Sequence, residues 1–240
     1  MIQLLGGLGA SLVLAALPAL PLLALLLRLD RARPEPLGLV GRTALYGFVA
    51  VAPAFVAELV LQGLLPAFGG PLGALVTAFV VAALVEEGVK LAFLRRYLWK
   101  RPEFDEAADG IVYAVSLSLG FAVVENFLYT WNEPGLLVLR SLTAVPLHAI
   151  ATGLMGYWLG LEKMGRNPGG WRRGLLAAVA FHGFYDFLLL EGGPPAFLIF
   201  PLLVAGALVL RSRFAAAKAV DDTLAARPLM PGPEPRNTDI

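Results

Sequence analysis

The sequence contains no cysteine, which removes disulfides, thiolate nucleophiles and thiolate metal ligands together. It is also poor in charge: Asp, Glu, Lys and Arg make up 15% of its 240 residues, where a soluble domain carries nearer ~25%. With a net charge of +1 there is no broad basic surface to bind nucleic acid. Histidine is scarce, and the whole chain holds His148 and His182 alone. Strand-period alternation of apolar and polar residues is absent, which disfavours a membrane β-barrel, and no internal repeat is visible. What the chain does have is apolar length. Hydrophobic residues make up 58%, and the mean hydropathy is +0.73. Gly (26) and Pro (18) are frequent for a soluble helical protein, yet membrane helices tolerate them because neighbouring helices satisfy freed backbone groups.

The apolar residues fall into seven blocks, 3–28, 43–65, 71–94, 110–131, 135–162, 171–190 and 195–212. Each is close to the ~20 residues that cross ~30 Å of hydrocarbon at 1.5 Å per residue. The expected fold is therefore all-α, a polytopic membrane bundle of about seven transmembrane helices. The first block lacks a basic leading region and runs into Arg28, Arg31 and Arg33, so it is expected to stay as a membrane helix rather than be cleaved as a signal peptide.

Basic residues set the expected orientation. Segments 28–42, 95–109 and 163–173 and the tail from 211 hold 17 of the 19 Lys and Arg residues, and the intervening loops hold none. By the positive-inside rule this predicts an outside N-terminus and a cytoplasmic C-terminus. The bundle is expected over 1–214, followed by a polar, Pro-rich, flexible cytoplasmic tail over 215–240.

Apart from charges within two residues of a block end, seven charged side chains lie inside the apolar blocks: Glu58, Glu86, Glu87, Lys90, Glu125, Arg140 and Asp186, joined by both histidines. An unpaired charge at mid-membrane costs ~2.5–3.5 kcal/mol, so seven isolated ones would cost on the order of 20 kcal/mol. Pairing, neutralisation or a wet cavity must offset most of that. Lys90 sits one helical turn from both Glu86 (i,i+4) and Glu87 (i,i+3), and His182 shares a face with Asp186 at i,i+4. Two adjacent carboxylates in low dielectric do not ionise together easily, while a nearby lysine favours charge on one of them, which suits a general base or acid. The bland reading is a Glu–Lys pair tying helices together. His148 and His182 suit metal ligation, proton carriage or oxyanion stabilisation, against a plain hydrogen-bonding role in the core. Asp186 orients His182 or shares its proton, or is a local helix pair. Glu125 and Asn126 add a ligand or a substrate contact, or else serve packing. Arg140 reads as a structural or interfacial counter-ion, Glu58 as structural, and Gly120, Gly153, Gly156, Gly160 and Gly183 as close-packing sites.

Three stretches carry a family resemblance. EEGVK (86–90) matches EExxK, FAVVEN (121–126) matches FxxxEN and HGFYD (182–186) matches HxxxD, with Arg140 and VPLHA (145–149) between them. In this order, on separate membrane blocks, they resemble the PrsW family of bacterial intramembrane proteases, which is distantly similar to CAAX prenyl endopeptidases and to the APH-1 scaffold. The resemblance spans roughly 75–190 and implies a protease core over about 71–190 in a bacterial plasma membrane. It also implies cleavage of a membrane-anchored protein, typically an anti-sigma factor, with Glu86, Glu87 and the histidines as functional groups.

The expected chemistry is peptide-bond hydrolysis. Glu86 or Glu87 activates water, and its partner holds the shared proton. His148 and His182 bind a metal or the oxyanion, and Asp186 orients His182. A catalytic zinc would take His148, His182 and Glu125, and a metal-free glutamate and histidine mechanism stands beside it. Lys90, Asn126 and Arg140 support. A proton- or ion-coupled transporter and a non-catalytic APH-1-like scaffold are the rival readings.

Overall fold

The computed structural model describes residues 12–131 and 135–226, in helices and the loops that join them. Seven helices are long and apolar enough to cross a membrane: α1 Leu12–Leu29, α2 Leu37–Leu64, α3 Gly70–Tyr97, α4 Ala107–Thr130, α5 Leu136–Lys163, α6 Gly170–Glu191 and α7 Gly193–Ala225. The seven-block reading holds. The protein is a multi-pass membrane helical bundle.

α4 is the axis of the bundle. In its most apolar window 89% of residues are buried within the protein, against 17% in α1 and α7, whose outer faces are left for lipid. Small residues allow that centrality. A Cβ on Gly156 of α5 would run into the backbone of Gly110 on α4, and one on Gly47 of α2 would run into the carbonyl of Leu117. Backbones pack this closely in membranes because dispersion, rather than exclusion of water, must hold the helices together.

Helix ends differ from the apolar blocks where polar side chains do the capping. α4 starts at Ala107 rather than 110, because Glu106 and Asp109 form a reciprocal capping box. α7 runs on to Ala225, past the block ending at 212 and into the expected tail. There the Asp221 carboxylate accepts from the backbone N–H groups of Ala107 (2.6 Å) and Ala108 (3.0 Å). Arg33, in the α1–α2 connection, joins the same corner through Glu106 (2.8 Å) and Asp222 (2.9 Å). The rest of the tail, 227–240, and residues 3–11 of the first block lie outside the described residues.

Two of the interruptions in these helices bear on the site. α3 contains a π-helical stretch, Thr77–Ala83, between α-helical Gly70–Val76 and Leu84–Tyr97. α5 breaks at Thr143, whose φ of −124° and ψ of −59° separate Leu136–Leu142 from Ala144–Lys163. Both irregularities flank the buried polar residues.

Candidate active site

The π-helical stretch ends just before the glutamate pair. Its wider turn shifts the register of everything after it, and Phe79 within it lies on the bare backbone of Gly183 in α6. α3 is thereby pressed against α6 so that Glu86, Glu87 and Lys90 all turn inward. Glu87 and Lys90 are fully buried, and Glu86 is 7% exposed.

Lys90 is the centre of the cluster. Its Nζ donates to Glu86 Oε2 (3.1 Å), Glu87 Oε1 (2.8 Å) and His148 Nδ1 (3.1 Å), which uses all three ammonium protons. It also sits 4.1 Å from the centre of the Phe121 ring, which covers its open side. A charged lysine this deep is tolerable because two carboxylates face it.

Each imidazole is held the same way. His148 Nε2 bonds Glu125 Oε2, and His182 Nε2 lies 3.3 Å from Asp186 Oδ2. Their Nδ1 atoms both point at the glutamate pair, His148 toward Lys90 and Glu86 (3.9 Å) and His182 toward Glu87 Oε1 (3.0 Å). The rings meet edge to face with centroids 5.1 Å apart. Because Lys90 can only donate to His148 Nδ1, the proton of that ring is on Nε2 and goes to Glu125. His182 stands between two carboxylates, and each of its two contacts needs a proton between ring nitrogen and carboxylate.

Glu125 is fixed from its other side. Arg140 reaches back across the α5 break, its Nη2 3.0 Å from Glu125 Oε1 and its Nε donating to Asn126 Oδ1 at 2.9 Å. The residues singled out from the sequence thus converge: Glu86, Glu87, Lys90, Glu125, Asn126, Arg140, His148, His182 and Asp186 form one connected network. Arg140 is an internal partner in it.

Glu86, Glu87, His148 and His182 each offer a ligand atom, and these atoms lie within 4.8 Å of one another. Two imidazoles and two carboxylates are a donor set that suits a divalent cation such as zinc, and carboxylates behind both imidazoles are the usual outer support of such a centre. Five carboxyl groups, those of Glu58, Glu86, Glu87, Glu125 and Asp186, face two cations, Lys90 and Arg140. The excess negative charge likewise suits a bound cation. In one respect the geometry departs from expectation. Glu125, expected with the two histidines as a ligand, lies behind His148 on its Nε2 edge, and Glu86 and Glu87 complete the four-residue group instead.

Four residues were not singled out for this role from sequence. Thr152 donates to Glu87 Oε2 (2.9 Å) and lies 3.1 Å from Ser118. Thr152 follows His148 by one turn, and Ser118 precedes Phe121 by one, so the helical spacing carried both signals. Glu58 and Gln62, one turn apart on α2, line two cavities of about 300 and 250 Å³ that both reach Glu86 and Glu125.

A family model described as PrsW family intramembrane metalloprotease matches residues 35–210. Curated relatives carry the name Protease PrsW. The protein of Geobacillus kaustophilus is 37% identical over 177 residues, covering 72% of this chain and 76% of that one. That of Halalkalibacterium halodurans is 37% identical over 184 residues, covering 75% and 84%. In Bacillus subtilis the relative is 31% identical over 192 residues, covering 78% and 86%. No solved structure matches the chain significantly. The matched span runs from the start of α2 into α7 and contains every member of the buried network, and the chain accordingly belongs to the PrsW family of intramembrane metalloproteases.

Proposed function

We propose that this membrane protease hydrolyses a peptide bond of a membrane-anchored protein, of the anti-sigma-factor kind, with Glu86 as the base that activates water. The two glutamates divide the work. Glu87 is fully buried and has both oxygens engaged, with Lys90, His182 and Thr152, whereas Glu86 keeps an edge on both cavities. A base must touch water, and of this pair Glu86 is the one that borders the cavities.

His148, His182 and Glu87 are the residues that would hold a divalent cation, most suitably zinc, which supplies a more acidic bound water and polarises the scissile carbonyl. Glu125 and Asp186 hold the two rings in the orientation that presents Nδ1 inward. Lys90 would give up its bond to His148 Nδ1 when that nitrogen holds the cation, while its ammonium, still facing both glutamates, stabilises negative charge as the tetrahedral intermediate forms. After attack, Glu86 carries the proton taken from water and returns it to the leaving amine. The substrate helix must open locally, since its carbonyls are otherwise hydrogen-bonded and shielded.

The observation that carries this reading is the pair of inward-facing Nδ1 atoms, each backed by a carboxylate, beside a glutamate that borders a cavity. A proton-relay transporter would also use buried acids and histidines, but the family membership favours hydrolysis. The deciding experiment is cleavage of a tagged membrane-anchored substrate by the purified protein in lipid. Glu86→Gln is expected to reduce turnover at least 100-fold, about the contribution of a general base, and a chelator to abolish it until zinc is restored. Undiminished cleavage by Glu86→Gln would sink the assignment of the base, and cleavage indifferent to chelation would sink the metal.

A further inference from the structure

The two cavities share Glu58, Gln62, Glu86, Glu125 and Tyr129 but open on different surroundings. The smaller is walled by Arg140, His148, His182 and Asp186. The larger is a cleft between one stripe of α2, with Val51, Phe55 and Leu59, and one stripe of α4, with Phe121 and Leu128. These positions recur at helical spacing, so two faces look at each other across the gap. α2 and α4 touch backbone to backbone where Gly47 meets Leu117 and Gly120 meets Ala44. Beyond that crossing they part, and the cleft occupies the opening.

We infer that the α2–α4 cleft is where the membrane segment of the substrate enters, and that Glu58 and Gln62 hold its opened backbone beside Glu86. The inference rests on the protease reading above. At the rim, Phe55, Leu59 and Leu128 are each more than half exposed and apolar, as a surface that meets a lipid-embedded helix should be. The floor carries three carboxyl groups and an amide, Glu58, Glu86, Glu125 and Gln62. Glu125 is held by His148 and Arg140, and one oxygen of Glu86 by Lys90. Among the described residues, Glu58, Gln62 and the other oxygen of Glu86 accept or donate no hydrogen bond. An acyl chain would leave them so, at a cost of several kcal/mol in hydrocarbon. An unwound peptide supplies what they lack, because each residue freed from its helix offers an N–H to the carboxylates and a C=O to the Gln62 amide. Such an occupant is extended polypeptide, with water held in the smaller cavity beside Arg140, His148, His182 and Asp186.

The test uses the full chain in lipid vesicles, with Glu86→Gln to prevent turnover. A photoreactive benzoylphenylalanine replaces Leu59 or Leu128 in the cleft, or Leu25 or Leu208 in the separate apolar groove between α1 and α7 as controls. The probe is a biotinylated synthetic helix of about twenty leucines, flanked by lysines, with a Gly-Pro pair at its centre to weaken the helix. Capture at positions 59 and 128 is expected to exceed that at 25 and 208 at least tenfold, and to fall several-fold with Glu58→Ala plus Gln62→Ala. Equal capture at all four sites, a preference for the controls, or adducts to lipid alone overturns the inference. The lack of cysteine gives an independent measurement, since Leu59→Cys and Leu128→Cys can be joined by a bifunctional maleimide. Bridging is expected to block capture of the free probe, read by pull-down, and unchanged capture overturns the inference. Both readouts report binding, so they fail separately from the assignment of Glu86 as base.

Discussion

Glu87 shows how a carboxylate is kept in place in a membrane. Its oxygens accept from Lys90, His182 and Thr152, and none faces a cavity. Thr152→Val takes away one of these donors while keeping the shape, and the loss of a hydrogen bond to a charged group is worth about 1.5–3 kcal/mol. Asp186→Asn keeps the size of the His182 partner but removes its charge. Supporting groups of this kind change metal affinity or activity by about 10–100-fold. We therefore expect Asp186→Asn to weaken zinc binding, measured by competition with a chromophoric chelator, by a factor in that range. Affinity equal to the parent would show that His182 does not depend on Asp186.

A second residue-scale prediction concerns the α1–α2 connection, outside the membrane helices. Asp30 is buried and its Oδ2 has no hydrogen-bond partner. Burial pushes its carboxyl up from 3.8 to about 6, against the bond it accepts from the Glu35 backbone. A raised carboxyl favours the folded state fully below the unfolded value of 3.8, and that advantage is lost as pH rises through 6. Asp30→Asn removes the ionisation. The apparent melting temperature of the variant in detergent should match the parent near pH 4 and exceed it at pH 7.5. A constant difference across that range would contradict the linkage.

Among the elements, α3 depends on an irregularity that hydropathy does not register. Its π-helical stretch, Thr77–Ala83, precedes the glutamates by less than a turn. A π turn holds about one residue more than an α turn, so the side chains after the stretch are set by that extra residue, and inserting one alanine after Ala83 rotates them by about 100° relative to those before it. The insertion should abolish cleavage while the bundle still forms, as judged by circular dichroism and a monodisperse elution. Retained cleavage would mean that the stretch does not aim Glu86. The α5 break works similarly: Leu136–Leu142 returns Arg140 to Glu125, and a continuous helix would have carried the guanidinium elsewhere. The spacing of EEGVK correctly placed Lys90 near both acids, because i,i+3 and i,i+4 neighbours share a face in any helix. It could not show that the face turns inward toward α5 and α6.

At the scale of the molecule, charge is sorted by end. Arg33, Glu106, Asp221 and Asp222 tie the α1–α2 connection, the start of α4 and the last turns of α7 at the end that carries the basic loops. We expect that end to face the cytoplasm, since basic loops near membrane helices are retained there. Single cysteines at Arg101 and at Gln62, in a chain that has none of its own, report this through labelling with an impermeant maleimide on intact cells. Position 62 should label from outside and position 101 only after lysis. The reverse would invert the topology.

Seven spans, the pairing of Lys90 with Glu86 and Glu87, and that of His182 with Asp186 were all determined by sequence, because apolar length and helical periodicity are local properties. The partners that lie far apart in the chain were decided by tertiary structure alone. His148 meets Glu125 and Lys90, Thr152 meets Glu87, and Glu58 meets the cavities only because the helices cross where glycines permit it. Those crossings, with the π-helical turn and the α5 break, arise from contacts between helices, and no pattern along a single helix encodes them.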